Sequence, residues 1–336
     1  MRIPSAFPVF LTALVLGVAG CDRTGAYGDA SSIILAADPD LWAQVQDDVY
    51  GSLEPTIQTV REERTFTVTY QNPNEEDWGR LRQFKQMLVV GTAEDPWVAE
   101  ALERARGADE AAPPQILQAR DIWARAQLVT ILLLPPTGQA EALRSLMPEL
   151  RQIYDRQFRQ LARDRMFITG RDSALADTLR REAGFSLILP QVYYWDHQDS
   201  VYIFRNDNPD PSELIRQLAV TWRTPIPEDM EGEEILAWRE ELAAGHYSEP
   251  QQVDLSEVTA GPFTYEGHSA YQVQAVWQNT PAADWPAAGP FILRSVACPD
   301  QDRLYLLDAW LYAPGKEKYQ YMIQLETLLD SFSCES

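Results

Sequence analysis

The chain has 336 residues, 28 Lys and Arg against 50 Asp and Glu, and a formal net charge of −22. That charge repels nucleic acid and anionic headgroups, so no nucleic-acid partner is expected. A hydrophobic content of 45% with ten tryptophans excludes a disordered chain and leaves room for one large or two modest domains.

The first predicted element is a leader. Arg2 precedes an apolar stretch over 6–18, and Val18-Ala19-Gly20 leads into Cys21. A basic start, an apolar centre and small residues before a cleavage point describe a secretory signal peptide over 1–20. Its centre is shorter than the roughly 20 residues a spanning helix needs. A cysteine directly behind the small residues makes a lipobox, so Cys21 is expected to carry lipid such as palmitate and to hold the protein on a membrane. At about 0.8 kcal/mol per buried methylene, two or three acyl chains anchor almost permanently. The plainer alternatives are an uncleaved anchor helix or a signal peptide with a chance cysteine. Residues 21–31 lack apolar periodicity and read as a lipidated tether; ten such residues reach about 34 Å. The folded body is then expected outside the cytoplasm, in the envelope or periplasm of a bacterial cell, with the choice of membrane left open.

From 32 to 183, strands and helices alternate. Runs over 32–37, 87–90 and 128–134 read as buried strands, and 66–70 as a half-buried one. Pro39 opens a helix with apolar residues at Leu41, Trp42, Val45, Val49 and Leu53. Shorter helices are expected over 74–84 and after Asp95, with a loop over 107–114. A long helix over 138–166 carries a continuous apolar stripe from Leu143 to Leu161. Asp172 opens a further helix that Gly184 ends. This alternation predicts an α/β domain with a mixed sheet.

Beyond Gly184 the pattern changes. Strands are expected over 185–189, 200–204, 214–222, 263–265, 271–277, 291–297 and 304–312. One helix interrupts them over 233–244, and a last one spans 316–332. Consecutive strands with short connections predict an antiparallel α+β domain over 184–336, its C-terminal helix packed on the sheet.

Three cysteines are present. If lipid takes Cys21, Cys298 and Cys334 remain as a pair in an oxidising compartment and are a disulfide candidate; the alternative is one buried and one terminal thiol. Ala-Gly-Pro-Phe occurs at 260–263 and again at 288–291, each read as a turn entering a strand, with a binding loop as the alternative. Asp121, Trp123 and Gln127 form a candidate polar pocket with an aromatic floor. Their plainer reading is a packed tryptophan and a glutamine bonded to backbone. Nine arginines and five acids lie between 144 and 181, either a basic stripe for an anionic partner or a solvated helix laced with pairs such as Asp155–Arg159. Seven acids and one arginine between 228 and 241 read as a solvated loop and helix.

Catalysis finds little support. The histidines are His197, His246 and His268, none in a metal-ligand spacing. His197, beside Asp196 and Asp199, is a weak cation candidate. No catalytic residue, metal or cofactor is nominated.

Several of these segments together resemble an uncharacterised family of bacterial envelope lipoproteins, a domain of unknown function. They are Ile33 to Trp42, Asp121–Trp123–Gln127, Ala275-Val276-Trp277 with Gly289-Pro290-Phe291, and Tyr312-Ala313-Pro314-Gly315-Lys316 with Leu325-Glu326 and Ser331-Phe332. Where that family tends to carry arginine and glycine before the tryptophan, Gln274 and Ala275 stand here. The resemblance implies location and architecture and no activity. Ser186 to Pro190, the long hairpins and the last helix also look like the α/β/α sandwich of PsbP-type proteins, which implies fold alone. The leading expectation is a non-enzymatic lipoprotein, anchored through Cys21, that binds an envelope protein or glycan. The alternatives are an envelope hydrolase with a carboxylate-based site and a passive structural lipoprotein.

Overall fold

The computed structural model describes residues 24–105, 112–227, 232–281, 283 and 286–334. The signal segment, Cys21 and part of the acidic stretch at 228–231 lie outside them.

In chain order the first half runs β1 (Ser32–Ala36), α1 (Pro39–Leu53), β2 (Thr56–Gln58), β3 (Glu62–Arg64), β4 (Thr67–Gln71), α2 (Trp78–Leu81), β5 (Gln86–Gly91), α3 (Pro96–Arg104), β6 (Gln115–Arg120), β7 (Leu128–Leu133), α4 (Gln139–Met166) and α5 (Ser173–Ala183). The second half runs β8 (Phe185–Ser186), β9 (Tyr194–Gln198), β10 (Val201–Asn206), β11 (Ile215–Arg223), α6 (Gly232–His246), β12 (Gln251–Tyr265), β13 (His268–Asn279), β14 (Ala288–Cys298), β15 (Arg303–Tyr312), α7 (Tyr319–Leu329) and β16 (Ser333–Cys334).

The first sheet has the order β4-β1-β5-β7-β6. Four strands are parallel, and β6 runs antiparallel to β7, giving the expected mixed sheet. Helices cover both faces, which is why all six residues of β7 are buried and the strand reads as one apolar run. One face packs on α1 and α4, the other on α3. α1 starts where the sequence places it: Asp38 caps the first turn by accepting from the Asp40 and Leu41 amides, with Pro39 at the first position.

The second sheet is antiparallel throughout, in the order β12-β13-β14-β15-β11-β10-β9. One face packs on α5, β8 and α7, as expected for the C-terminal helix, and the other on α6. α5, N-terminal to the expected boundary near Gly184, buries Leu175, Leu179 and Ala183 in this second core. Asp172 caps its start and Gly184, at φ 78°, ends it. Gly289 lets β14 approach β15 closely, since a Cβ there would lie 1.7 Å from the Leu311 carbonyl oxygen that Trp277 Nε1 also reaches.

Several expected elements are corrected. Residues 24–31, expected as part of a free tether, lie against the first half: the Ala26 amide donates to the Arg125 carbonyl, the Lys85 amide to the Tyr27 carbonyl, and the Tyr27 ring packs on Phe84. Of 74–84, only Trp78–Leu81 is helical, because Asn72 turns the chain by accepting from the Asn74 amide. β6 is not among the expected strands; residues 107–111 of the loop expected before it lie outside the described residues. The first Ala-Gly-Pro-Phe lies inside β12 rather than before a strand. β12 is a sheet edge, where proline leaves no partner strand without a donor.

The halves meet along α4 and α7. Phe158 stacks on Tyr319 at 5.3 Å. Lys318 Nζ reaches Glu63 at 2.7 Å with both side chains almost fully buried, and the same carboxylate accepts the Lys318 amide.

Candidate functional site

A cleft of about 740 Å³ opens beside this junction. The end of α1, β2 with the residue before it, the two residues after β3, one face of α4 and the first residue of α7 line it. Its floor is apolar: Leu53, Phe66, Met147 and Tyr154 are all buried. Burial raises the Tyr154 hydroxyl above its ordinary value.

The rim is charged, and its spacing follows from the helix. Arg144, Pro148, Arg151, Asp155 and Arg159 recur at three- and four-residue intervals, so they share one face of α4. Arg144 Nε donates to Asp48 at 2.7 Å and its Nη2 to the Gln44 carbonyl. Arg159 bridges Asp155 at 2.9 Å and Glu326 at 2.6 Å. Burial works against the Arg159 charge, but Glu326 and Asp155 outweigh it and raise its pKa. Tyr319 donates its hydroxyl to Asp155, and burial together with that carboxylate raises its pKa. Arg151 is exposed and has no ion pair or hydrogen bond among the described residues. Two carboxylates thus share one cleft, each already held by an arginine.

The sequence-nominated residues lie elsewhere. Asp121, Trp123 and Gln127 do come together, in the loop between β6 and β7, but outside the cleft. Gln127 is buried; its amide donates to the Arg82 and Phe84 carbonyls and its oxygen accepts the Trp123 amide. Asp121 accepts the Ala126 amide at 2.6 Å, and the Trp123 ring meets Trp78 edge-on at 5.4 Å. These contacts fasten the loop to the segment before β5. Cys298 and Cys334 are bridged, with Cα atoms 6.1 Å apart. In the arginine-rich span, Arg144, Arg159 and Arg180 are paired, and Arg171 lies over the Phe167 ring. Among the described residues no cluster of His, Cys, Asp and Glu could hold a metal, and no helix is long and apolar enough to cross a membrane.

Sequence reasoning missed a second exposed feature. All five residues of β9, an edge strand, face solvent; Tyr194 is 53% and Trp195 37% exposed. Trp195, His197, Tyr202 and Trp222 form a row of near-parallel rings, successive centroids 5.0–6.0 Å apart. Arg303 sits 4.5 Å over the inner end, on Trp222. The row joins β9, β10 and β11, so only the spacing of Trp195 and His197 was available as a signal in one stretch of sequence.

No curated protein matches the chain. Among solved structures, cyanobacterial PsbP (CyanoP) from Synechocystis sp. PCC 6803 aligns at 14% identity over 45% of this chain and 86% of its own, with a TM-score of 0.30. The Ran-binding protein Mog1p of Saccharomyces cerevisiae aligns at 10% identity over 45% of this chain and 90% of its own, also with a TM-score of 0.30. The family match covers the seven-stranded sheet with α5 and α7 and leaves out the earlier segments, Ile33 to Trp42 and Asp121 to Gln127. Residues 172–331 match a domain of unknown function, DUF4837.

Proposed function

We propose that this protein is a lipoprotein of a bacterial cell envelope, held to a membrane by lipid on Cys21, whose folded body binds a protein or glycan partner without catalysing a reaction. The anchoring rests on the basic start, apolar centre and lipobox of residues 1–21. The observation that carries partner binding is the aromatic edge of β9. Natural edge strands are usually blunted or covered, and exposed tyrosine and tryptophan are the side chains that anchor interfaces. Here a whole edge strand with Tyr194 and Trp195 faces solvent.

Two measurements test the reading. Cys21→Ser is expected to abolish palmitate incorporation and detergent-phase partitioning; unchanged labelling would remove the anchor. A photocrosslinking residue at Tyr194 in intact cells is expected to capture one dominant protein or glycan, and the same residue at exposed Ile168 none. Equal, diffuse adducts from both positions overturn the binding role. A hydrolase is the second reading, favoured by Asp48 and Asp155 lining one cleft. It requires that Asp48→Asn or Asp155→Asn abolish turnover of an envelope polymer.

A further inference from the structure

The cleft between α1 and α4 plays no part in the β9 edge, and its chemistry points to a ligand of its own. Four buried apolar or aromatic side chains form the floor, and a cavity of about 740 Å³ is within the range that encloses small ligands. Three arginines and two aspartates line the cleft, and Glu326 stands behind Arg159, so its charged groups balance in a chain whose net charge is −22. Arg144 is neutralised by Asp48, and Arg159 by Asp155 and Glu326. Arg151 alone of the three has no partner among the described residues.

An apolar floor and a single unpaired guanidinium lining the same cleft define the complementary ligand. A neutral apolar molecule would fill the floor and leave Arg151 unused. A cation would be repelled by Arg151 at the mouth. A polyanion would find only one guanidinium in the cleft that is not already held by a carboxylate. One apolar chain ending in one carboxylate or phosphate satisfies both parts, because a guanidinium binds either group through two parallel hydrogen bonds. We infer that the α1–α4 cleft binds a single-chain anionic amphiphile, its chain against Leu53, Phe66, Met147 and Tyr154 and its head on Arg151. Free acyl carboxylates and single-chain lipid phosphates share this chemistry.

The test uses the full chain in phosphatidylcholine nanodiscs, with empty discs subtracted, and displacement of a fluorescent undecanoate by dodecanoate, dodecyl phosphate or dodecanol. Dodecanoate, dodecyl phosphate or both are expected to displace the probe at least tenfold better than dodecanol, and the better of the two names the source. Arg151→Gln, a change at an exposed position, is expected to weaken the anions about tenfold and leave dodecanol unchanged. Met147→Trp, which fills the floor, is expected to abolish binding of all three while circular dichroism stays native. If Met147→Trp does not fold, Arg151→Gln still decides. Equal displacement by dodecanol and the anions, an Arg151→Gln protein that binds like wild type, or no displaceable signal above empty discs overturns the assignment.

Discussion

The two sheets solve burial differently. The first is short-stranded and mostly parallel, and its buried polar side chains, Gln71 and Thr130, are neutral. The second has strands of up to 15 residues and holds a fully buried ion pair: Arg239 of α6 meets Asp308 of β15 at 3.1 Å. Tyr247 donates to the same aspartate at 2.7 Å, Arg239 donates to Gln251, and the guanidinium lies 3.9 Å over the Phe291 ring. Burial raises the Asp308 pKa, with Arg239 and Tyr247 pulling against it. Both sheets lie between helices; the second encloses a charge because α6 brings the counter-charge to β15.

The largest expected effect tests this contrast directly. Asp308→Ala leaves Arg239 charged and unpaired in the core, and is expected to cost about 3–5 kcal/mol in urea unfolding. Thr130→Val frees the amide of Gln118, which is exposed and can turn to water, so about 1 kcal/mol or less is expected. Equal losses would mean that the two cores do not differ in kind.

Next is the bridge between Cys298 and Cys334, which spans 36 residues. Replacing both by serine is expected to cost about 3–4 kcal/mol in the chain-entropy account. Hydrogen exchange should show the loss in β14 and β15 while β1, β5 and β7 keep their protection. Uniform loss across both sheets would show one cooperative unit in place of two.

The smallest effect is alkaline. Tyr265 donates to the Phe332 carbonyl at 2.6 Å, and burial pushes its pKa up to about 12. The unfolded tyrosine ionises near pH 10, so between about pH 10 and 12 the unfolded chain loses a proton that the folded one keeps. The stabilisation is complete below pH 10 and is lost as pH rises through that window. Tyr265→Phe should flatten the alkaline decline of the melting temperature, and an unchanged slope would remove Tyr265 as its source.

What the sequence revealed follows from the same contrast. Buried strands such as β5 and β7 read plainly because both faces are covered, and α1 and α4 because their stripes repeat at helical spacing. β9, Tyr-Trp-Asp-His-Gln, carries no apolar signal because every residue faces solvent. β12 was legible only near its end, since its middle is exposed and bulged between Asp254 and Thr259. The cleft was hidden for another reason: segments far apart in sequence build it. Its local traces were the spacing of Arg144, Arg151 and Arg159 on a single helix face and the Asp155–Arg159 pair, which the sequence placed on a solvated helix and the structure places at the rim. Asp121, Trp123 and Gln127 did converge, as three polar and aromatic residues in one loop should; Gln127 is spent on backbone groups and the Trp123 ring on Trp78.

The pairing of β8 with β16 bears on the order of assembly. Phe185 lies opposite Cys334 and Ser186 opposite Ser333, so the strand that opens the second core waits for residues almost 150 positions later. A nascent chain emerging from its N-terminus has every strand of the first sheet once β7 is out, and the helices of both its faces once α4 follows. The second core must stay open at Phe185 until β16 arrives. Such distant closure slows folding, and it makes the second half the part of the nascent chain that most needs protection from premature contacts.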